Sequence, residues 1–105
     1  MTDTALYWVR NFDFDGYRHD ACKHIPLNYW RMLTHKMKSE MPDRALWQIG
    51  ETYGDVELIG SYVKTGMIDS QFDFNLYHTS RDVIVDTNRS MQDIVRTVEE
   101  SEAAY

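Results

Sequence analysis

Helix-like and strand-like segments alternate along this chain, and that order limits how it can fold. Helices are predicted over ALYWVR near the N-terminus, LNYWRMLTHKMKSEM after Pro26, VELIGSYV, SRDVIVD, and a last segment from Ser90. Strands are predicted over GYRHDA, ALWQIGE and SQFDFNLY. Because helices alternating with strands indicate parallel βαβ units, the expected fold class is α/β.

The two longest helix predictions depend on the spacing of apolar side chains. Leu27, Trp30, Leu33 and Met37 recur three or four positions apart, which is the period of one helix face. The last helix shows the same spacing and begins with Ser90, followed three positions later by an aspartate, as in a capping box. The middle helix is weakened by a glycine inside VELIGSYV, which costs about 1 kcal/mol relative to alanine.

Length and composition restrict the class of protein. At 105 residues the chain holds one domain or less. Its net charge of -6 argues against a nucleic-acid partner, because such proteins usually present a basic face. Cys22 is the only cysteine, so no internal disulfide is possible. No apolar stretch approaches 18 residues and no signal-peptide pattern follows Met1, so neither a membrane span nor a signal peptide is expected.

Ionisable side chains gather where the predicted strands end. Arg18 and Asp20 end the first strand, Glu51 ends the second, and Asp73 and Asn75 lie on the third. In parallel βαβ folds the carboxyl ends of the strands open onto a shared crevice, where chemistry takes place. Two carboxylates in one crevice are typical of acid–base or nucleophilic attack on a sugar acetal.

The residues around these carboxylates suggest different protonation states. Arg18 lies two positions before Asp20, hence on the same strand face, where its charge would keep Asp20 ionised. Glu51 follows an apolar strand and has no cation nearby in the sequence, which suits a general acid that must hold a proton. An Arg–Asp pair at this spacing also occurs as a purely structural ion pair, so the residues alone leave both interpretations open. The three tryptophans, Trp8, Trp30 and Trp47, and also Cys22, are expected in the core.

Taken together, these motifs resemble a known enzyme family. DGYRHDACKH is similar to the fourth-strand segment of the α-amylase superfamily, the retaining α-glucoside hydrolases and transglycosylases of glycoside hydrolase family 13. QIGETY is similar to that family's fifth-strand segment, and MIDSQFDFNLY to the stretch around its sixth strand. The resemblance runs from Phe12 to Tyr77. It implies a partial (β/α)8 TIM barrel, roughly strands four to six with their helices.

The resemblance also implies a role for each matching residue. Asp20 matches the catalytic nucleophile, Arg18 the residue that orients it and keeps it ionised, and Glu51 the general acid/base. Lys23 and His24 match substrate-binding positions on the leaving-group side. In many members the carbonyl of this histidine also helps to hold a structural calcium ion, and the chemistry itself needs no cofactor. His19 stands where an aliphatic residue is commoner and is expected to point away from the crevice.

The family's third essential aspartate, after an NHD-type motif on the seventh strand, has no match, nor does the third-strand motif. A complete barrel needs about 250 residues, so the chain is expected to be an incomplete catalytic barrel and inactive alone. For the complete enzyme the resemblance implies α-amylase-type retaining hydrolysis of α-glucans or malto-oligosaccharides. The alternatives are an α-glucan transglycosylase of the same family and a non-catalytic amylase-like interaction module.

Overall fold

The three strands form one parallel sheet that is covered by helices on one face. The structure, a computed structural model, describes all 105 residues. The strands lie in the order β1-β2-β3, and both neighbouring pairs are parallel. The elements along the chain are α1 (Thr2–Phe12), β1 (Gly16–His19), a 3₁₀ turn (Cys22–His24), α2 (Leu27–Glu40), β2 (Trp47–Gly50), α3 (Val56–Gly60), β3 (Ser70–Gln71), α4 (Phe74–Val85) and α5 (Met91–Ala104).

The alternating pleat gives the sheet two different faces. Register pairs Arg18 with Ile49 and Ile49 with Ser70, so these three residues point to the same side, which we call the front face. Tyr17 on β1 and Gln48 on β2 point to the opposite side, the rear face. Gly16 lies so close to β2 that an added Cβ would sit 1.8 Å from the Trp47 carbonyl oxygen, so only glycine fits.

The core lies between the rear face and helices α1 and α2. On α2 the predicted residues Trp30, Leu33 and Met37 are buried there, whereas Leu27, at the start of the helix, is exposed. Tyr17 anchors α1 to the sheet, because its hydroxyl donates a hydrogen bond to the Ala5 carbonyl. The core cluster comprises Leu6, Val9, Cys22, Trp30, Leu33, Met37, Met41, Tyr62, Met67 and Ile68. The expected burial of Trp30 and Cys22 is thereby confirmed.

The front face has no comparable cover. Trp47 is 60% exposed and Phe72 is 40% exposed, and no front-face residue belongs to the core cluster. The prediction that Trp47 and Trp8 are core residues is therefore wrong. The Cα radius of gyration is 16.3 Å, whereas a compact domain of this size has about 13 Å. The chain is an elongated arc of sheet and helices and does not enclose its own front face.

The third strand is much shorter than predicted. Only Ser70 and Gln71 pair with β2, and a helix begins at Phe74. Asp73 is the N-cap of α4: its side chain accepts from the backbone N–H of Leu76 at 2.9 Å. The alternation of phenylalanines and leucine in QFDFNLY is typical of a strand, but the capping carboxylate accepts from a free N–H of the first helical turn and so favours the helix. The predicted helix over SRDVIVD is the second half of α4.

The remaining helices agree with expectation apart from one end. Asp55 caps α3, and this helix stops at Gly60 instead of continuing to Val63. An added Cβ on Gly60 would lie 2.6 Å from the Ala104 carbonyl oxygen, so glycine lets α5 approach closely. Ser90 and the aspartate three positions later form the predicted capping box of α5. None of the helices is both long enough and apolar enough to cross a bilayer.

Candidate active site

Asp20 and Glu51 follow two strands that are direct neighbours in the sheet. The strand ladder continues past the ends of β1 and β2, because the backbone N–H of Glu51 donates to the His19 carbonyl at 2.9 Å. The N–H of Cys22 then donates to the Glu51 carbonyl at 2.8 Å. These bonds fix the segment around Asp20 against the segment around Glu51. The two carboxylates therefore follow neighbouring strand ends, as parallel pairing predicts, and the shared crevice stays a prediction.

One guanidinium joins the two carboxylates. Nη1 of Arg18 donates to Oδ1 of Asp20, and Nη2 donates to Oε2 of Glu51 at 2.5 Å. Arg18 lies one residue before the end of β1, and its side chain points to the front face, as that of Ile49 does. From this position the guanidinium reaches both carboxylates. The expectation that Arg18 pairs with Asp20 is confirmed. The premise that Glu51 has no cationic neighbour is wrong, because sequence separation does not reveal a cation on the adjacent strand.

The arginine also sets the charge of the site. The hydrogen bond from Arg18 holds the pKa of Asp20 below its usual range, and hydrogen bonding with Glu51 and the positive charge of Arg18 act in the same direction. The two carboxylates in turn raise the pKa of Arg18, so it stays charged. The Asp20 side chain is 78% exposed and that of Glu51 is 31% exposed. The site therefore offers an ionised, accessible aspartate beside a more sheltered glutamate.

The chain turns sharply directly after Asp20. Ala21 has φ 47° and ψ 49°. These angles lie in the left-handed region, which residues other than glycine rarely adopt. For an L-residue this conformation costs roughly 1–2 kcal/mol. The turn leads straight into the 3₁₀ turn, whose first residue, Cys22, is fully buried. Asp20 is thus held between the end of a strand and an anchored turn.

A cavity of about 360 Å³ opens beside Glu51 and Arg18, and Asp20 is not among its lining residues. Arg18 and Glu51 form its polar side, and the guanidinium carbon of Arg18 lies 5.9 Å from the centre of the Phe72 ring. Its remaining lining residues come from the start of α4: Asp73, Phe74 and Tyr77. We call Phe72, Phe74 and Tyr77 the aromatic wall of the cavity. The sequence alone did not predict that these residues belong to the site. The helix cap at Asp73, with an apolar residue three positions later, is the signal that could have placed Phe74 and Tyr77 beside the strand ends.

Lys23 lies at the rim of the site and His24 lies apart from the acids. Nζ of Lys23 donates to the Tyr53 carbonyl at 2.8 Å and lies 5.6 Å from the centre of the Tyr53 ring. The Tyr53 ring meets the edge of Phe74 at 5.3 Å, so this tyrosine links the rim to the aromatic wall. His24 is exposed at the end of the 3₁₀ turn, and no hydrogen bond joins it to either acid. Tyr53 was missed because nothing in QIGETY distinguishes it from a loop residue.

The expected calcium ion stays a prediction, since this chain was expected to supply only part of its ligands. No group of three or more histidine, cysteine, aspartate or glutamate side chains is arranged to hold a metal ion. Only the main-chain carbonyl of His24 was expected to contribute, and one carbonyl does not satisfy an ion that takes six to eight oxygens. No chemical step proposed below depends on calcium.

Comparison with known proteins identifies the family. No protein-family model matches the chain. Alpha-amylase 2 of Dictyoglomus thermophilum is 29% identical over all 105 residues, which cover 18% of that protein. The periplasmic alpha-amylase of Escherichia coli is 31% identical over 87 residues, or 71% of this chain and 13% of that protein. The chain belongs to the α-amylase superfamily.

Solved structures agree with this membership. The chain superimposes on an Anoxybacillus alpha-amylase with a TM-score of 0.86 and 28% identity, covering 99% of this chain and 23% of that one. It also superimposes on the acarbose complex of the Geobacillus thermoleovorans alpha-amylase, with a TM-score of 0.85, 28% identity and the same coverage. The sheet of this superfamily member is thus part of an amylase fold. The chain spans less than a quarter of the length of these relatives.

Proposed function

We propose that this chain contributes the nucleophile and the general acid/base of an α-amylase-type retaining α-glucan hydrolase. In this proposal β1, β2 and β3 are the fourth, fifth and sixth strands of a TIM barrel. One observation carries the proposal: the Arg18 guanidinium holds both carboxylates at neighbouring parallel strand ends. A structural ion pair needs one acid, whereas this arrangement brings together the two that glycoside cleavage requires.

The geometry suits a double displacement. Asp20, kept ionised by Arg18, attacks the anomeric carbon, while Glu51 gives its proton to the departing glycosidic oxygen. The hydrogen bond and positive charge of Arg18 hold the pKa of Asp20 below its usual range, which suits a nucleophile that must be ionised. Water then loses a proton to Glu51 and displaces Asp20 from the covalent β-glucosyl intermediate. The product keeps the α-configuration.

The rim residues are proposed to bind the leaving-group side of the glucan. Lys23 is held over Tyr53, and the two lie next to the aromatic wall formed by Phe74. His24 is assigned to the same side on the strength of the family resemblance. Sugars present apolar faces and hydroxyl edges, so an aromatic ring flanked by a lysine suits a malto-oligosaccharide.

A grafted barrel tests the proposal. Residues 1–105 would replace the matching segment of the Geobacillus thermoleovorans alpha-amylase, whose fold this chain follows over 99% of its length. We expect this grafted barrel to hydrolyse a malto-oligosaccharide and to release product that is initially in the α-configuration by NMR. The host with its own segment deleted is the negative control. Product released in the β-configuration, or an inactive but folded graft, would contradict the proposal.

Two alternatives are separated by the same assay. A transglycosylase shares both acids and differs in the acceptor that attacks the intermediate, so a transfer-to-hydrolysis product ratio above one would favour it. A non-catalytic interaction module would be expected to have lost an acid or its arginine. Asp20, Glu51 and Arg18 are all present and in contact, which favours catalysis.

Replacing Arg18 by lysine in the grafted barrel tests the two-armed contact. Lysine keeps the positive charge but has no planar fork, so it cannot hold both acids at once. We expect turnover to fall by roughly 10- to 100-fold, since loss of orientation of the reacting groups has effects of this size. The matched control is Arg10→Lys, because Arg10 pairs with exposed Glu40 on a helix surface. Equal turnover in the two variants would make Arg18 a structural residue.

A further inference from the structure

Behind the two acids, on the rear face, a chain of hydrogen bonds crosses the whole sheet. Nε2 of His19 donates to Oε1 of Gln48 at 3.0 Å, and Nε2 of Gln48 donates to Oγ1 of Thr34 on α2 at 2.8 Å. The Thr34 hydroxyl donates onward to the Met67 carbonyl at 3.1 Å, just before β3. The Gln48 backbone N–H donates to a carboxylate oxygen of Asp69 at 2.8 Å. All three strand regions and α2 are joined through Gln48.

The two central members of this chain are enclosed, and His19 is partly buried. Gln48 is 2% exposed and Thr34 is 1% exposed, so Oε1 of Gln48 depends on the histidine for its hydrogen bond. A buried polar atom left without a partner is costly, which makes the His19–Gln48 contact hard to break. His19 was expected to point away from the crevice, and it does. Its packing partners are the ring of Trp30, with centres 4.7 Å apart, and the ring of Tyr17, at 5.6 Å.

No charged group faces the imidazole from the elements packed on it. The titratable neighbours are the Tyr17 phenol and the Cys22 thiol, and burial raises the pKa of both, so both are neutral at pH 7. From α2 the ring meets only an indole, and from β2 only the amide of Gln48. The Asp69 carboxylate binds the backbone of Gln48, away from the ring. His19 therefore occupies a site suited to a neutral imidazole.

We infer that His19 and Gln48 are positioning residues, which hold the Asp20-bearing end of β1 and the Glu51-bearing end of β2 at the separation that Arg18 spans. His19 is the last residue of β1 and stands between Arg18 and Asp20 in the chain, so a shift of its ring moves the backbone that carries both. Arg18 ties the strand ends on the front face, and the His19–Gln48 pair ties them on the rear. This inference rests on the proposed function, because the groups being positioned are the proposed catalytic acids.

The same pair makes the site sensitive to acid. Burial lowers the pKa of His19 from its ordinary 6.5. Below pH 6.5 the unfolded chain binds a proton before the folded one does, so the contribution of this contact to stability falls as the pH falls. An aliphatic pair would have no such loss. Activity that depends on the rear-face contact should therefore decline on the acid side, beyond any decline due to the catalytic acids.

Two variants of the grafted barrel test the inference. His19→Leu leaves Gln48 without its donor, and we expect kcat at pH 7 to fall by about 10- to 100-fold with KM within about twofold, as for displaced reacting groups. His19→Leu/Gln48→Leu removes both polar groups and should restore kcat at pH 7 while extending activity to lower pH. His35→Leu is the control, because His35 is exposed on α2 and its side chain takes no part in the rear-face hydrogen bonds. Assays are run well below each melting temperature.

The outcomes separate this inference from the proposed function. If the histidine only fills space, His19→Leu will melt at a lower temperature but keep the parental kcat and pH profile, and the inference is overturned. If the parental graft has no activity, the proposed function is wrong. The inference is then decided by NMR of aspartate carboxyl carbons, with the Asp20 signal assigned from Asp20→Asn. The Asp20 pKa should rise in His19→Leu and return in the double variant, and an unchanged value would overturn the inference.

Discussion

Replacing Asp20 by asparagine in the grafted barrel should lower turnover on malto-oligosaccharide by roughly 10⁴- to 10⁶-fold, the range seen when one member of a preorganised catalytic group is removed. An amide cannot form the glycosyl ester, and it loses the charge that Arg18 stabilises. The substitution changes volume very little and Asp20 is largely exposed, so the melting temperature should stay close to that of the parent. Initial rates and thermal melting measure the two quantities.

Asp15→Asn is the matched control, because Asp15 is an exposed residue before β1 and its side chain makes no hydrogen bond. It should retain parental turnover. Near-normal turnover in Asp20→Asn would remove Asp20 from the role of nucleophile. Glu51→Gln adds a check on the acid/base: it should slow substrates with poor leaving groups more than substrates with activated ones.

The second large effect concerns residues 1–105 expressed alone. We expect this segment to hydrolyse no starch and to aggregate or melt without a sharp transition. Its front face leaves Trp47 and Phe72 exposed and Ile49 and Phe74 only half-buried, and the outer edges of β1 and β3 are unpaired. Unpaired strand edges next to exposed apolar side chains favour association between chains.

Size-exclusion chromatography, thermal melting and a starch assay on the bare segment measure these outcomes. The grafted barrel, in which host strands cover the front face, serves as the folded comparison. A monomeric segment with a cooperative melt would refute the expectation about folding. Starch hydrolysis by the segment would show that two acids suffice without the third aspartate that the family places on its seventh strand.

Sequence reasoning placed Asp20 and Glu51 at neighbouring strand ends because their positions depend on local order, whereas their proposed roles come from the family resemblance. The segments GYRHDA and ALWQIGE indicate where β1 and β2 end, and parallel pairing then brings Asp20 and Glu51 close together. Arg18 falls on the correct face because side chains alternate strictly along a strand. These inferences need only the pleat and the strand order, which short sequences determine well.

The wrong inferences have two causes. In one, a segment carries the patterns of two different elements, and in the other, residues far apart in the sequence are neighbours in the sheet. QFDFNLY has a strand pattern and a helix cap at once, and the hydrogen bonds accepted by Asp73 decide in favour of the helix. The contact of Arg18 with Glu51 depends on which strand is adjacent, which spacing alone does not state. Trp47 was expected in the core because large aromatic residues are usually buried, yet the pleat places it on the front face.

The left-handed backbone at Ala21 makes this position a useful one for protein engineers. Glycine would relieve the unfavourable backbone geometry but would also add freedom to the unfolded chain, and the two effects oppose each other. Ala21 directly follows Asp20, the proposed nucleophile. A more flexible backbone at position 21 would therefore hold the Asp20 carboxylate less firmly in the orientation that attack requires. A search for thermostable variants that scores only melting temperature could therefore select a change here that weakens control over the reacting atoms.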